Sequence, residues 1–149
     1  MPARRYAAVL GLLLLAGCAT DAAPKSATIS ILGPVAMLKV RVEIARTPAE
    51  RQRGLMGRPS VPAGTGMLFA YPDAADWGGY WMKDTLVPLD IAFINNGTIF
   101  EIDEMIPCRA EPCPLTTPKS EYDHALEVAG GSFARAGIGV GARIDLSRT

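Results

Sequence analysis

Residues 91–102 read IAFINNGTIFEI, and this stretch decides the fold class. Two runs rich in β-branched and aromatic residues flank Asn95-Asn96-Gly97, and runs of this composition favour β-strands. Asn and Gly tolerate the positive φ that a tight turn requires. The stretch therefore predicts a β-hairpin with strands at 91–94 and 98–102.

Residues 38–44, upstream of the hairpin, alternate apolar and charged side chains without a fault. This period of two predicts a half-buried strand with one face in water. Thr47 then stands before Pro48, and Glu50 follows three residues after the threonine. A capping threonine, a proline at the first helical position and a glutamate at the third form a capping box. A short helix is predicted there, since Gly54 follows at once.

Further short strands are predicted at 67–71, 80–82, 124–128 and 142–146, with a helical turn at 132–137. Gly- and Pro-rich segments separate them, at 58–66 and 107–118. Many short strands with only one or two brief helices predict a mainly β fold, either a β-sandwich or a small barrel. The predicted single domain spans residues 28–149.

Residues 1–17 are predicted to be a signal peptide. Arg4 and Arg5 precede an apolar run at 7–15, which is too short to span a bilayer as a stable helix and suits an export signal. The sequence Leu-Ala-Gly-Cys at 15–18 resembles the lipobox of bacterial lipoproteins, in which the cysteine carries the lipid. We therefore expect lipidation at Cys18 and a flexible tether over 18–27.

The expected location follows from the lipid. Ala19 stands after Cys18, where aspartate would signal retention in the inner membrane of a Gram-negative cell. Attachment to the outer membrane, facing the periplasm, is therefore expected, and the lipid supplies the contact with the membrane.

The charge of the chain excludes an electrostatic nucleic-acid binder. The full chain has 15 basic and 15 acidic residues. Without Arg4 and Arg5 the count is 13 against 15, a net charge of −2. Proteins that bind nucleic acid through the phosphates need a basic surface, so no nucleic-acid partner is expected.

Cys108 and Cys113 are the two cysteines besides Cys18. An even pair in an exported protein favours a structural disulfide, although redox use and metal ligation remain alternatives. The spacing is not the C-x-x-C of a thioredoxin-type centre. A loop this short would shape the chain locally.

Ordered motifs make the chain resemble the DUF192 family, a domain of unknown function, over nearly all of residues 38–146. The motifs are Glu50-Arg51 with Gly54-Leu55-Met56, then Gly66–Phe69, Trp81–Thr85, Pro88–Phe93, Ala125–Val128 and Gly137-Ile138. The resemblance implies a jelly-roll-like β fold, often exported or membrane-attached, and no established reaction. The chain departs from the family at residues 141–143, where Gly-Ala-Arg replaces a Gly-Asp-basic turn, and in the segment 108–113.

A candidate binding groove is predicted around the densest polar cluster. As a strand, Trp81, Lys83 and Thr85 would point one way, with Met82 and Asp84 opposite. Asp90 and Glu127 lie in apolar surroundings, where an unpaired carboxylate costs several kcal/mol, so each is either paired structurally or forms a polar pocket floor. The predicted groove consists of Trp81, Lys83, Asp84, Thr85, Asp90 and Glu127. Its expected ligand is an unknown small molecule or an envelope protein.

Two alternatives stay open beside this non-enzymatic binding module. Asp90 and Glu127 would serve as the acid/base pair of a hydrolase or lyase if they shared a cleft. Soft-metal binding is the other alternative, because thioethers suit Cu(I) and Met56, Met67 and Met82 lie beside apolar residues. No catalytic residue is assigned, since His124 is the single histidine, and no cofactor is expected.

Overall fold

The computed structural model describes residues 25–71, 78–147 and 149. Two helices occur in this part of the chain, α1 at Pro48–Arg53 and α2 at Ser132–Arg135. The strands are β1 (Lys25–Leu32), β2 (Met37–Ala45), β3 (Thr65–Ala70), β4 (Tyr80–Trp81), β5 (Leu89–Asn95), β6 (Thr98–Met105), β7 (Leu115–Thr116), β8 (His124–Ala129) and β9 (Arg143–Asp145).

Seven strands close into a barrel in the order β1-β2-β3-β8-β5-β6-β9. The β2–β3 pair is parallel and α1 lies in the crossover between them, whereas the other neighbouring strands run antiparallel. Strands β4 and β7 form a separate two-stranded ribbon. The predicted mainly β fold with short helices is confirmed, and the architecture is a barrel.

The local signals at the hairpin and at α1 take the predicted form. Asn96 and Gly97 adopt φ values of 50° and 71° between β5 and β6. At α1 the Thr47 hydroxyl accepts a hydrogen bond from the Glu50 amide, and the Glu50 carboxylate accepts from the Thr47 amide. Both segments fold as their own residues dictate.

The first hydrophobic core fills the barrel. It takes buried side chains from all seven barrel strands, and only the interior of a closed barrel brings seven strands together. Phe133 of α2 packs into the same cluster and covers one end.

A second hydrophobic core lies on the outer face of β3, β5 and β8. Side chains that alternate with those of the first core build it, among them Phe69, Phe93 and Ala125. Leu55 from the end of α1 and Tyr122 cover them. The barrel wall therefore separates two apolar layers, and any site between this outer face and its cover lies outside the barrel interior.

Three segments differ from the sequence-based expectation. β1 begins at Lys25, three residues before the predicted start of the domain, because the run after it alternates and pairs with β2 along its whole length. Residues 82–85 form a turn rather than a strand, closed by a hydrogen bond from the Thr85 amide to the Met82 carbonyl, with Asp84 at φ 53°. The predicted loop at 107–118 contains β7.

Candidate functional site

A cavity of about 300 Å³ lies between the outer face of the barrel and the cover formed by α1 and β4. Its lining combines aromatic, cationic and carboxylic side chains from five parts of the chain. These lining residues include Arg51, Arg53, Leu55, Met56, Phe69, Tyr71, Tyr80, Trp81, Thr85, Tyr122 and Glu127.

Aromatic rings form much of the cavity wall. The ring of Tyr80 stands edge-on to that of Phe69 with centroids 5.1 Å apart, and Tyr71 meets Tyr122 at the same distance. The hydroxyl oxygens of Tyr71 and Tyr80 lie 2.7 Å apart, so one donates to the other. Burial raises the pKa of Tyr80 well above its usual value, so this phenol stays neutral.

Glu127 brings a carboxyl group into this apolar environment. The side chain is only 5% exposed, and burial raises its pKa to about 8. No described residue donates a hydrogen bond to this carboxyl group or forms an ion pair with it. At neutral pH the group is therefore mostly protonated, because no partner offsets the cost of desolvating the charge.

The other buried carboxyl groups have partners. Asp90 accepts hydrogen bonds from the amides of Gly131 and Phe133, at 2.8 and 3.2 Å. Glu101 accepts from the Lys119 amide at 2.8 Å and pairs with the Lys119 ammonium at 3.2 Å. Glu127 differs from both, and it is the one that lines the cavity.

Asp90 and Glu127 do not share a cleft. Across the β5–β8 pair, Asp90 stands opposite Val128 and Ile91 stands opposite Glu127. Residues opposite one another point to the same face of a sheet, so the two carboxylates point to opposite faces. The expected acid/base pair is therefore wrong, because Asp90 caps α2 instead.

Of the other residues in the predicted groove, two line the cavity and two do not. Trp81 and Thr85 line the cavity with Glu127, and the indole of Trp81 is partly exposed. Lys83 and Asp84 are not among the cavity-lining residues, because they lie in the turn after β4. The Lys83 ammonium sits 5.6 Å from the Trp81 ring centroid and pairs with Glu111 at 3.2 Å.

Several cavity residues lie outside the groove expected from the sequence, and Arg51 matters most among them. Its guanidinium donates to the carbonyls of Arg46 and Ala70 and lies 4.6 Å from the centroid of the Tyr71 ring. In the sequence Arg51 belongs to the Glu50-Arg51 motif and is one possible partner for the Asp90 carboxylate, which instead accepts from the amides of Gly131 and Phe133. Tyr80 and Tyr122 carried no comparable signal, since tyrosines in short strands are usual core residues.

The methionines proposed as soft-metal ligands have a packing role. Met67 and Met82 are buried in the second core, and Met56 is half-buried at the cavity. Within residues 25–71, 78–147 and 149, no group of three or more His, Cys, Asp and Glu side chains could hold a metal ion. Copper binding stays a prediction.

Cys108 and Cys113 are joined as a disulfide with their Cα atoms 5.6 Å apart. The lipidation residue Cys18 lies outside the described residues, as do the signal peptide and most of the predicted tether. In the described part of the chain, neither helix has the length and apolarity needed to cross a bilayer.

Comparison with known proteins places the chain among uncharacterised relatives. The model of the DUF192 family, described as uncharacterized ACR, matches residues 32–146. No curated protein matches the chain.

Two solved structures are similar in fold and sequence. A protein from Sinorhizobium meliloti 1021, described as a candidate transcription regulator, is 27% identical with a TM-score of 0.77. That match covers 84% of this chain and 96% of the other. A protein of unknown function from Novosphingobium aromaticivorans DSM 12444 is 29% identical with a TM-score of 0.72, covering 84% and 94%.

Proposed function

The chain belongs to the DUF192 family, and from this premise we propose that it is a lipid-anchored envelope protein that binds a small molecule without transforming it. The binding site is the cavity between α1, β4 and the outer face of β8. Attachment is through lipid at Cys18, with the barrel outside the cytoplasm.

One observation carries the binding proposal: Glu127 faces a cavity and has no partner among the described residues. Burial penalises the ionised form of this carboxyl group. A ligand that bonds to the carboxyl group offsets that penalty. Concave apolar sites with a few convergent polar groups are the usual form of small-molecule sites.

Binding is favoured over catalysis by the composition of the lining. Among the residues that the structure describes, the cavity lining includes one carboxyl group and no histidine, serine or cysteine. General acid/base work and nucleophilic attack both need a second group within hydrogen-bond reach of the first. Asp90, which was expected to be that second group, points to the other face of the sheet.

The proposed location draws on the sequence and on the disulfide. A bonded Cys108–Cys113 pair suits an oxidising compartment, which agrees with the export signal and lipobox predicted at 1–18. The Sinorhizobium relative is described as a candidate regulator of transcription. The equal numbers of acidic and basic residues in this chain favour a small molecule over DNA as its ligand.

Native mass spectrometry of the full chain, purified from the membrane in a maltoside detergent, tests the proposal. We expect a non-covalent adduct of small-molecule size. Met56→Trp places a larger side chain at the cavity and should reduce the bound fraction. Met37→Trp is the matched control, because Met37 is exposed and does not line the cavity.

An adduct that survives Met56→Trp unchanged would place the ligand elsewhere. A bare wild-type chain that also binds no member of a small-molecule library would refute the binding function. Circular dichroism of both variants checks that each remains folded.

A further inference from the structure

We propose that the ligand is a small zwitterion whose ammonium group pairs with Glu127 and whose anionic end lies at the arginine-lined side of the cavity. This inference rests on the proposed function, since it assigns the ligand class of the same cavity. It is drawn from the way charge and aromatic surface are distributed around that space.

The carboxylate of Glu127 is the group that binds the ligand's ammonium. Burial raises the pKa of the Glu127 carboxyl group to about 8, and no described cation pairs with it, so the proton is retained at neutral pH. An ammonium group at hydrogen-bond distance stabilises the ionised carboxylate, because the attraction between opposite charges is strong in a desolvated site. Binding of the ammonium group therefore lowers the pKa of Glu127. A carboxylate ligand would instead meet a group that becomes negative as pH rises.

The aromatic wall also favours a cation. Phe69, Tyr80 and Tyr122 line the cavity, and ring faces attract organic ammonium groups electrostatically. Two aromatic rings at this site already make cation–π contacts with basic side chains of the protein. The Arg51 guanidinium lies over Tyr71, and the Lys83 ammonium lies over Trp81.

The arginines of α1 explain why the ligand is a zwitterion rather than a simple amine. Arg51 and Arg53 both line the cavity, and Arg53 is exposed. Their positive charges oppose a purely cationic ligand and attract an anionic group. A molecule with separated charges satisfies Glu127 at one end and the arginines at the other.

The cavity volume of about 300 Å³ is at the lower end of the range for ligand pockets, roughly 300–1,000 Å³. Compounds the size of an amino acid or a betaine are therefore suitable, whereas long peptides are not. Glycine betaine is a useful probe, since its quaternary ammonium group cannot lose a proton.

The affinity for glycine betaine should depend on pH through Glu127. Below pH 8 each unit of pH raises the ionised fraction, and hence the affinity, about tenfold, with a plateau above pH 8. The other titratable groups that line the described part of the cavity do not produce this profile. Burial keeps Tyr80 neutral, Tyr71 shares its hydrogen bond and Tyr122 donates to the Gly78 carbonyl. The guanidinium groups of Arg51 and Arg53 also belong to this lining.

The test is isothermal titration of the full chain in maltoside detergent with three probes. Glycine betaine carries both charges, tetramethylammonium carries only the cation and pivalate carries only the anion. We expect glycine betaine to bind most tightly, tetramethylammonium more weakly and pivalate weakest at pH 8. Glu127→Gln should weaken glycine betaine binding about thirtyfold or more at this pH.

Two further variants separate local from general effects. Arg53→Gln should weaken glycine betaine about threefold while leaving tetramethylammonium unchanged or slightly improved. Glu104→Gln is the matched control for Glu127→Gln, because Glu104 is an exposed glutamate on β6 and does not line the cavity. It should leave all three affinities unchanged.

Pivalate binding as tightly as glycine betaine, or a betaine affinity that ignores pH between 6 and 8, would overturn the zwitterion assignment. A native adduct that none of the probes displaces would also overturn it, while the binding function stands. If neither adduct nor probe binds, both proposals fail together.

Discussion

At the scale of single residues, Glu127 is the feature that packing alone does not explain. Its neighbours across the sheet, Met67 and Ile91, are apolar, and both belong to the second core. An apolar or amide side chain would fit the same place without the cost of a buried acid. Residues that lower stability in this way are concentrated at functional sites.

Replacing Glu127 with Gln should therefore stabilise the protein at alkaline pH. The folded-state pKa of about 8 lies above the ordinary glutamate pKa of 4.5, so folding favours the protonated acid. Stability from this group is fully present below pH 4.5 and is lost progressively as pH rises to 8, a change of roughly 5 kcal/mol at most. Urea unfolding between pH 4.5 and 8.5 should show the wild type losing stability relative to the variant. Parallel curves would contradict the burial of an unpaired acid.

Asp90 should behave in the opposite way, as a structural residue. Its carboxylate holds the amides of Gly131 and Phe133 at the start of α2. Asp90→Ala leaves both donors without this partner and should cost about 2 kcal/mol in urea unfolding. Asp84→Asn, in an exposed turn, is the control and should cost little. An Asp90→Ala variant as stable as wild type would show that the cap contributes nothing.

The sequence could not separate these two acids, although both were recognised as buried. Each lies between apolar residues in a strand, and their difference depends on the register of β5 against β8. That register places Asp90 opposite Val128 and beside α2, while Glu127 meets the cavity. Register across strands distant in sequence leaves no local signal.

At the scale of elements, the turns and caps that depend on a few adjacent residues were predictable from the sequence. The Asn96-Gly97 turn and the Thr47 capping box are decided by a few adjacent residues, and both formed as expected. The parallel pairing of β2 with β3 and the cover over the outer face were not predictable, because they require contacts between separate segments. The turn at 82–85 was missed since Asp84 adopts a positive φ, which is uncommon outside glycine.

Helix α1 forms one wall of the cavity, so its N-terminal cap should influence binding as well as stability. Thr47→Ala removes the hydroxyl that accepts from the Glu50 amide and should cost about 1 kcal/mol. Because Arg51 and Arg53 lie on this helix, the variant should also bind glycine betaine more weakly. Ser60→Ala, in the exposed loop beyond α1, is the control. Urea unfolding and titration on the same samples measure both effects, and unchanged stability would argue against the cap.

At the scale of the whole molecule, the barrel separates structural support from the candidate site. The first core holds the seven strands together, while the second core carries the cavity on the outside of the wall. Substitutions in the cavity cover can therefore alter binding without opening the barrel. Lipid attachment through the N-terminal region would keep this site at a membrane surface.

The proposed lipid anchor predicts a simple result in cells. Cys18→Ser removes the thiol proposed to receive the lipid, so labelling with a radioactive fatty acid should disappear and the predicted signal peptide should remain uncleaved. Cys108→Ser is the control, because that cysteine belongs to the disulfide and not to the anchor. Labelling that persists in the Cys18→Ser protein would show that the anchor is elsewhere or absent.

The measurement that tests the central claim most directly is a carbon-13 NMR titration of the Glu127 carboxyl group, with and without glycine betaine. We expect a pKa of about 8 without added glycine betaine and a marked fall when the ligand's ammonium group is bound. A pKa near 4.5 that does not respond to ligand would mean that the carboxyl group is solvated or already paired. That result would contradict the account of Glu127 as the unpaired polar group of a ligand cavity.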